Sequence, residues 1–172
     1  MKTLLSCLLV TLTLLAVSPA RAQTPLEEMS ISELEAQATE LHPAALYVLA
    51  ARLLANGQGQ AAANWMYAGQ IRYRFLIEVD DDRDERVLFG ALSEQVGRPV
   101  NEYIAGNVDE WLASIDWALE WDASNPNGTT SKSNHPEALA QVRSGLERLR
   151  AQIEEQRELI PKQRAANGLE NR

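Results

Sequence analysis

From residue 30 onward, apolar side chains recur every three to four positions through most of the chain, the spacing of helices that bury one face. Ser30, with Glu33 three residues on, forms a capping-box signature ahead of Ile31, Leu34, Ala38 and Leu41. Pro43 ends that helix and opens the next, whose apolar face is Leu46, Leu49, Leu53 and Leu54. Asn56-Gly57 stops it with a left-handed cap. A third helix is predicted from about Gln60 to Val79. It is apolar on nearly every side, through Trp65, Met66, Tyr67, Ile71, Tyr73, Phe75, Leu76 and Ile77, as a helix in the middle of a bundle is. Residues 71–77 also alternate at period two, but a strand there has no obvious partner.

An acidic run, Asp80 to Glu85 interrupted by Arg83, precedes a short helix carrying Val87, Leu88, Phe89, Leu92 and Val96, which Gly97-Arg98-Pro99 is expected to end. Asn107 and Glu110 repeat the cap-plus-three pattern before Val108, Trp111, Leu112, Ile115 and Leu119. Residues 122–135 contain almost nothing apolar and read as the longest loop. After Pro136, Leu139, Val142, Leu146, Leu149, Ile153 and Ile160 follow a three-four alternation with Gln156 in a polar seat, a coiled-coil-like stripe. The fold class predicted is all-α, a compact bundle of about five to six helices ending in a long C-terminal helix. One domain is expected over residues 23–164, with a frayed tail at 165–172.

Residues 1–22 have the composition of a leader. Lys2 supplies the positive start, Leu4 to Val17 the apolar stretch, and Ala20-Arg21-Ala22 the small-x-small pattern, so cleavage is expected between Ala22 and Gln23. The apolar run is shorter than the roughly 18–20 residues that span a bilayer. Cys7 lies too early to be a lipidated cysteine at the cleavage site. The leader predicts export to a bacterial periplasm, with secretion as the second location.

Residues 44–68 resemble a Sel1-like repeat, a relative of the tetratricopeptide repeat. The matching residues are Ala45, Tyr47, Leu49, Ala50, Leu53, Gly57 and Gly59, then Ala62, Trp65, Met66 and Ala68. The turn after Gly59 is shorter than in that family, and no second copy occurs. The resemblance implies an antiparallel helical hairpin, brought close by small residues and turned by the glycines, with the Trp against the preceding helix. It implies a protein-binding scaffold and brings no catalytic residues.

Charge sharpens this picture. The chain has 172 residues and a net charge of −8. Lys2 and Arg21 leave with the leader and no acid does, so residues 23–172 carry 14 basic and 24 acidic residues, a net of −10. That balance argues against nucleic acid and anionic membrane surfaces, and for a partner protein with a basic surface. Cys7 also leaves, which removes thiol catalysis, disulfides and cysteine metal sites. No GxSxG, HExxH, SxxK or glycine-rich phosphate loop occurs. Asp80, Asp82 and Asp84 match the first acidic positions of a calcium loop, but Glu85 and Ala91 stand where its Gly and Glu belong. His42-Pro43 and His135-Pro136 sit at predicted helix entrances and read as cap or loop residues. Asn127-Gly128-Thr129 is a formal glycosylation sequon in a stretch whose composition reads as turns. No metal, cofactor or enzymatic activity is predicted.

Two features suggest recognition. Arg72 and Arg74 interrupt the most apolar helix and, about 200° apart, cannot share a face. At most one faces the core, where it needs an acidic partner such as Glu102, Asp109 or Glu110; otherwise it is a basic anchor on an acidic surface. Trp117 and Trp121, an i,i+4 pair with Asp116, Glu120 and Asp122, form an acidic aromatic stripe. If exposed, it suits a basic protein or a glycan that stacks on indole rings. Three functions follow: a non-enzymatic exported protein-binding module, its special form as a periplasmic immunity protein neutralising a secreted antibacterial effector, and a cell-wall glycan binder or hydrolase. The C-terminal heptads also allow a homodimer.

Overall fold

The computed structural model describes residues 24–172; the leader and its expected cleavage site, Ala22-Gln23, lie outside them. The described residues are all-α and contain no strand. Their helices are α1 (Ile31–Ala36), α2 (Ala44–Ala55), α3 (Gly59–Asp80), α4 (Arg83–Leu92), α5 (Arg98–Ile104), α6 (Val108–Ser124), α7 (Pro136–Glu155) and α8 (Ile160–Ala166), with a π-helical turn at Ser93–Gly97. Residues 71–77 are helical: α3 lies between α2, α5, α6 and α7, so its apolar residues are covered from several sides at once. Met66, Tyr67, Ile71, Tyr73 and Phe75 are fully buried, each worth about 1.5–3 kcal/mol relative to exposure.

The helix ends follow side-chain chemistry. Ser30 Oγ accepts the Glu33 N–H (3.3 Å) while the Ser30 N–H donates to the Glu33 carboxylate (2.8 Å), closing the capping box. The Ser30 hydroxyl, which donates to Glu33 Oε2 (2.7 Å), and then the Ser30 N–H hold the Glu33 carboxyl below the usual carboxylate range. Asn107 Oδ1 caps α6 by accepting the Glu110 N–H (3.2 Å). Gly57, at φ +75°, turns α2 back into α3 as a hairpin. The helices approach so closely at Gly69 that an added Cβ would stand 3.1 Å from Leu46 Cβ.

Several boundaries differ from the sequence expectation. The first helix stops at Ala36, and Leu41 lies beyond a turn. Gly97-Arg98-Pro99 does not end a helix. The backbone widens into the π turn, which absorbs the missing proline N–H and the clash of its ring, and α5 continues beyond it. The last helix breaks after Glu155, and Ile160 starts α8, with Pro161 in its first turn where no N–H is needed. The continuation through the π turn into α5 and the break before α8 give eight α-helices among the described residues, against the five to six expected. The tail is exposed but held: Arg172 donates to Tyr103 O (3.3 Å) and Glu110 Oε2 (2.7 Å), and its guanidinium lies 3.7 Å from the Tyr103 ring.

The heptad stripe of α7 packs within the chain, with Leu146 and Ile153 buried and Val142 and Leu149 against the core. Seven residues apart beside it stand Arg143, Arg150 and Arg157, meeting Asp122 (3.1 Å), Asp116 (2.6 Å) and Asp109 in antiparallel order. Such flanking charges fix the register of a helix pair.

Candidate functional site

Arg72 and Arg74 leave α3 on different faces and meet opposite environments. Arg72 is 1% exposed. One guanidinium nitrogen donates to Ala38 O (3.1 Å) and Thr39 O (3.2 Å), another to Pro126 O (2.6 Å), and the group lies 4.2 Å from the Trp121 ring centre. Its acidic partner is Asp122, not Glu102, Asp109 or Glu110. Nε stands 3.6 Å from Asp122 Oδ1, an ion-pair distance without the alignment of a hydrogen bond. Burial lowers the pKa of Arg72, while Asp122 opposes that shift.

Asp122 was expected in an exposed acidic stripe or at the start of the loop, but it is fully buried near the end of α6. Lys132 Nζ (3.3 Å) and Arg143 Nη1 (3.1 Å) also reach its carboxylate. Lys132 further donates to Asn125 O (2.8 Å), and the Gly128 N–H to Thr39 O (2.8 Å). The loop is therefore tied down at Pro126, Gly128 and Lys132, and Asn127, the sequon residue, spends its Oδ1 on the Thr129 N–H (3.1 Å). Burial lowers the pKa of Lys132 and Asp122 opposes it.

The tryptophan stripe is largely built into this knot. Trp117 and Trp121 stack at 6.0 Å and 10°, and buried Trp65 meets both edge-on at 5.1 and 5.0 Å. The aromatic partners of Trp65 thus lie on α6. Trp117 and Trp121 are half-buried; Asp116 and Glu120 remain exposed, with Asp116 engaged by Arg150 and Glu120 accepting from Ser124 Oγ (2.8 Å).

A second polar cluster fastens α4. Tyr73 OH donates to Glu85 Oε2 (2.6 Å), and His42 Nε2 stands 3.3 Å from Glu85 Oε1. His42 Nδ1 accepts the Ala44 N–H (3.3 Å) at the start of α2, the cap role expected of it; His135 makes no side-chain cap bond to α7. Burial and the Glu85 carboxylate push the Tyr73 phenol well up, and burial pushes Tyr47 up to about 12. The acidic run is a turn: Asp81 takes the left-handed conformation (φ 52°), and Asp82 Oδ1 accepts the Asp84 (2.7 Å) and Glu85 (3.2 Å) N–H groups. Among the described residues no cluster of three or more His, Asp or Glu side chains forms a metal-binding group.

Arg74 is exposed, 5.4 Å from the Phe89 ring centre, and opens onto a groove of about 670 Å³ between α3, α4 and α7. Ile71, Ile77, Phe89, Val142, Leu146 and Leu149 give it an apolar floor, and Arg74, Arg86 and Arg148 line it with one carboxylate, Glu78. On the other side of α4, Val87 (65% exposed) and Leu88 (43%) face solvent with Ala91, close to the acidic turn. In the sequence, Val87, Leu88 and Phe89 stand together as apolar residues of one short helix, with no faces assigned to them. Their 100° steps place Phe89 inward and the other two outward, and α4 has no fully buried residue. Compared with known protein families, curated proteins and solved structures, the chain matches none.

Proposed function

We propose that this chain is a non-enzymatic helical module, exported to the periplasm by its leader, that binds another protein through an acidic surface with an apolar centre. The observation that carries this reading is the outward face of α4, where Val87, Leu88 and Ala91 lie exposed beside Asp80, Asp82 and Asp84. Aliphatic side chains held in water and ringed by charge are costly unless a partner covers them. The acids favour a basic partner, whose encounter they would steer. The resemblance of α2 and α3 to a Sel1-like hairpin supports the same reading. The tryptophan stripe supports it less, since Trp65, Arg72 and Arg150 already occupy its rings and one of its acids. The apolar stripe of α7 supports a homodimer less, since Leu146 and Ile153 are buried within the chain and Leu139, Val142 and Leu149 are half-buried.

Affinity capture from periplasmic extract tests the proposal. The protein should retain a partner at low salt and release it as salt rises. Val87→Asp with Leu88→Asp should abolish capture while stability changes by less than about 1 kcal/mol, as for exposed sites. Equal capture by the double variant would refute this face as the contact.

A further inference from the structure

Of the 14 lysines and arginines in residues 24–172, most have a carboxylate or a carbonyl oxygen within reach. Four have neither, and of these Arg83 and Lys162 lie outside the groove between α3, α4 and α7. Arg74 rests on Phe89, and Arg148 donates only to the hydroxyl of Ser144 (2.7 Å). Both line the groove. The third arginine, Arg86, is paired with Asp81, and the one glutamate, Glu78, is engaged by Gln141 Nε2 (3.4 Å). The groove is thus net positive inside a protein whose net charge is −8. What sets Arg74 and Arg148 apart is that both unpaired guanidinium groups line one apolar-floored groove.

We propose that this groove binds a single-chain amphiphilic carboxylate, of the fatty-acid class, with the alkyl chain on the apolar floor and the carboxylate between Arg74 and Arg148. Size and charge select this occupant. The lining residues 70–78 of α3 and 141–149 of α7 each span about 12 Å, two helical turns. The volume falls within the roughly 300–1,000 Å³ usual for small-molecule sites, and the lining combines apolar walls with a few convergent polar groups as those sites do. Guanidinium groups hold carboxylates through paired hydrogen bonds, and an apolar chain gains from leaving water for Ile77, Phe89, Val142 and Leu149.

Gly145 supplies the clean test. It lines the groove on α7, and a Cβ built there meets only the Arg148 side chain, at 3.7 Å. Gly145→Leu therefore fills the groove without entering the core. Calorimetric titration of dodecanoate, below its micellar concentration, into the purified protein should show saturable one-site binding. Arg74→Gln with Arg148→Gln should weaken it at least tenfold, and Gly145→Leu should abolish it while circular dichroism and Tm hold. Dodecyltrimethylammonium, the same tail with the opposite charge, should bind at least tenfold more weakly, and acetate should not bind. The Val87→Asp, Leu88→Asp variant should bind dodecanoate like the native chain, which separates this site from the proposed protein contact. The proposal is overturned by absence of saturable dodecanoate binding, by equal affinity for the cationic amphiphile, or by undiminished binding in well-folded Gly145→Leu.

Discussion

Two arginines two residues apart on α3 show how the same side chain becomes structure or opportunity. Arg72 points to the α6 end of the bundle, where three carbonyl oxygens, the Asp122 carboxylate and the Trp121 ring surround it. Arg74 points to the α4–α7 side, where it finds one aromatic ring and an open groove. A buried guanidinium is costly unless its charge and most of its donors are answered. Both terminal nitrogens of Arg72 are hydrogen-bonded and Nε meets Asp122 at ion-pair distance, so this region is closed. An exposed one keeps its hydration and remains available to an incoming anion. The carboxylates of this acidic chain went where burial demanded them, at Asp122 above all, and along the α6–α7 seam.

The sharpest way to break that contrast is Asp122→Asn. Removing one partner of a buried ion pair typically costs about 3–5 kcal/mol, so urea unfolding should show a loss of that order, with Arg72, Lys132 and Arg143 left facing a neutral amide. A loss below about 1 kcal/mol would mean that the carbonyl oxygens alone satisfy Arg72. On the groove side the sign reverses: Gly145→Ala should raise stability by about 0.5–1 kcal/mol, since the helix gains a better residue and the new methyl meets no core atom. Destabilisation there would show that the groove closes in solution. Smallest of all, Arg74→Gln should shift the unfolding free energy by less than about 0.5 kcal/mol, in line with exposed sites outside ion pairs. A larger loss would make Arg74 a structural residue like its neighbour.

Much of the architecture was legible in the sequence because it depends on local chemistry. Ser30, Asn107 and Gly57 act at the helix ends where their side chains or conformational freedom place them. The two-sided apolar pattern of α3 correctly marked the centre of the bundle, and the 200° between Arg72 and Arg74 correctly allowed only one of them inside. Pro99 misled, because a proline stops a regular helix but not one that widens into a π turn. The ion-pair seam was present as spacing, with arginines at 143, 150 and 157 and aspartates at 109, 116 and 122, yet only an antiparallel docking of α6 on α7 turns those spacings into contacts. The partner of Arg72 was missed because Asp122, beside a polar loop, looked solvated. Asp122 is buried among Arg72, Arg143 and Lys132, the last of which the loop carries back to its carboxylate.

The sequence by itself determined that this protein is helical, where most of its helices begin, which one is central, and that residues 23–172 are acidic and thiol-free. Hydrophobic periodicity and capping act over a few residues, so no distant contact is needed to read them. Tertiary structure alone decided which acid neutralises Arg72, that Trp117 and Trp121 are half-buried against Trp65, and that Val87 and Leu88 face water. It also left Arg74 and Arg148 over a groove with no carboxylate paired to either. Those outcomes depend on which elements meet, and pairing and burial are properties of an assembled neighbourhood rather than of any segment.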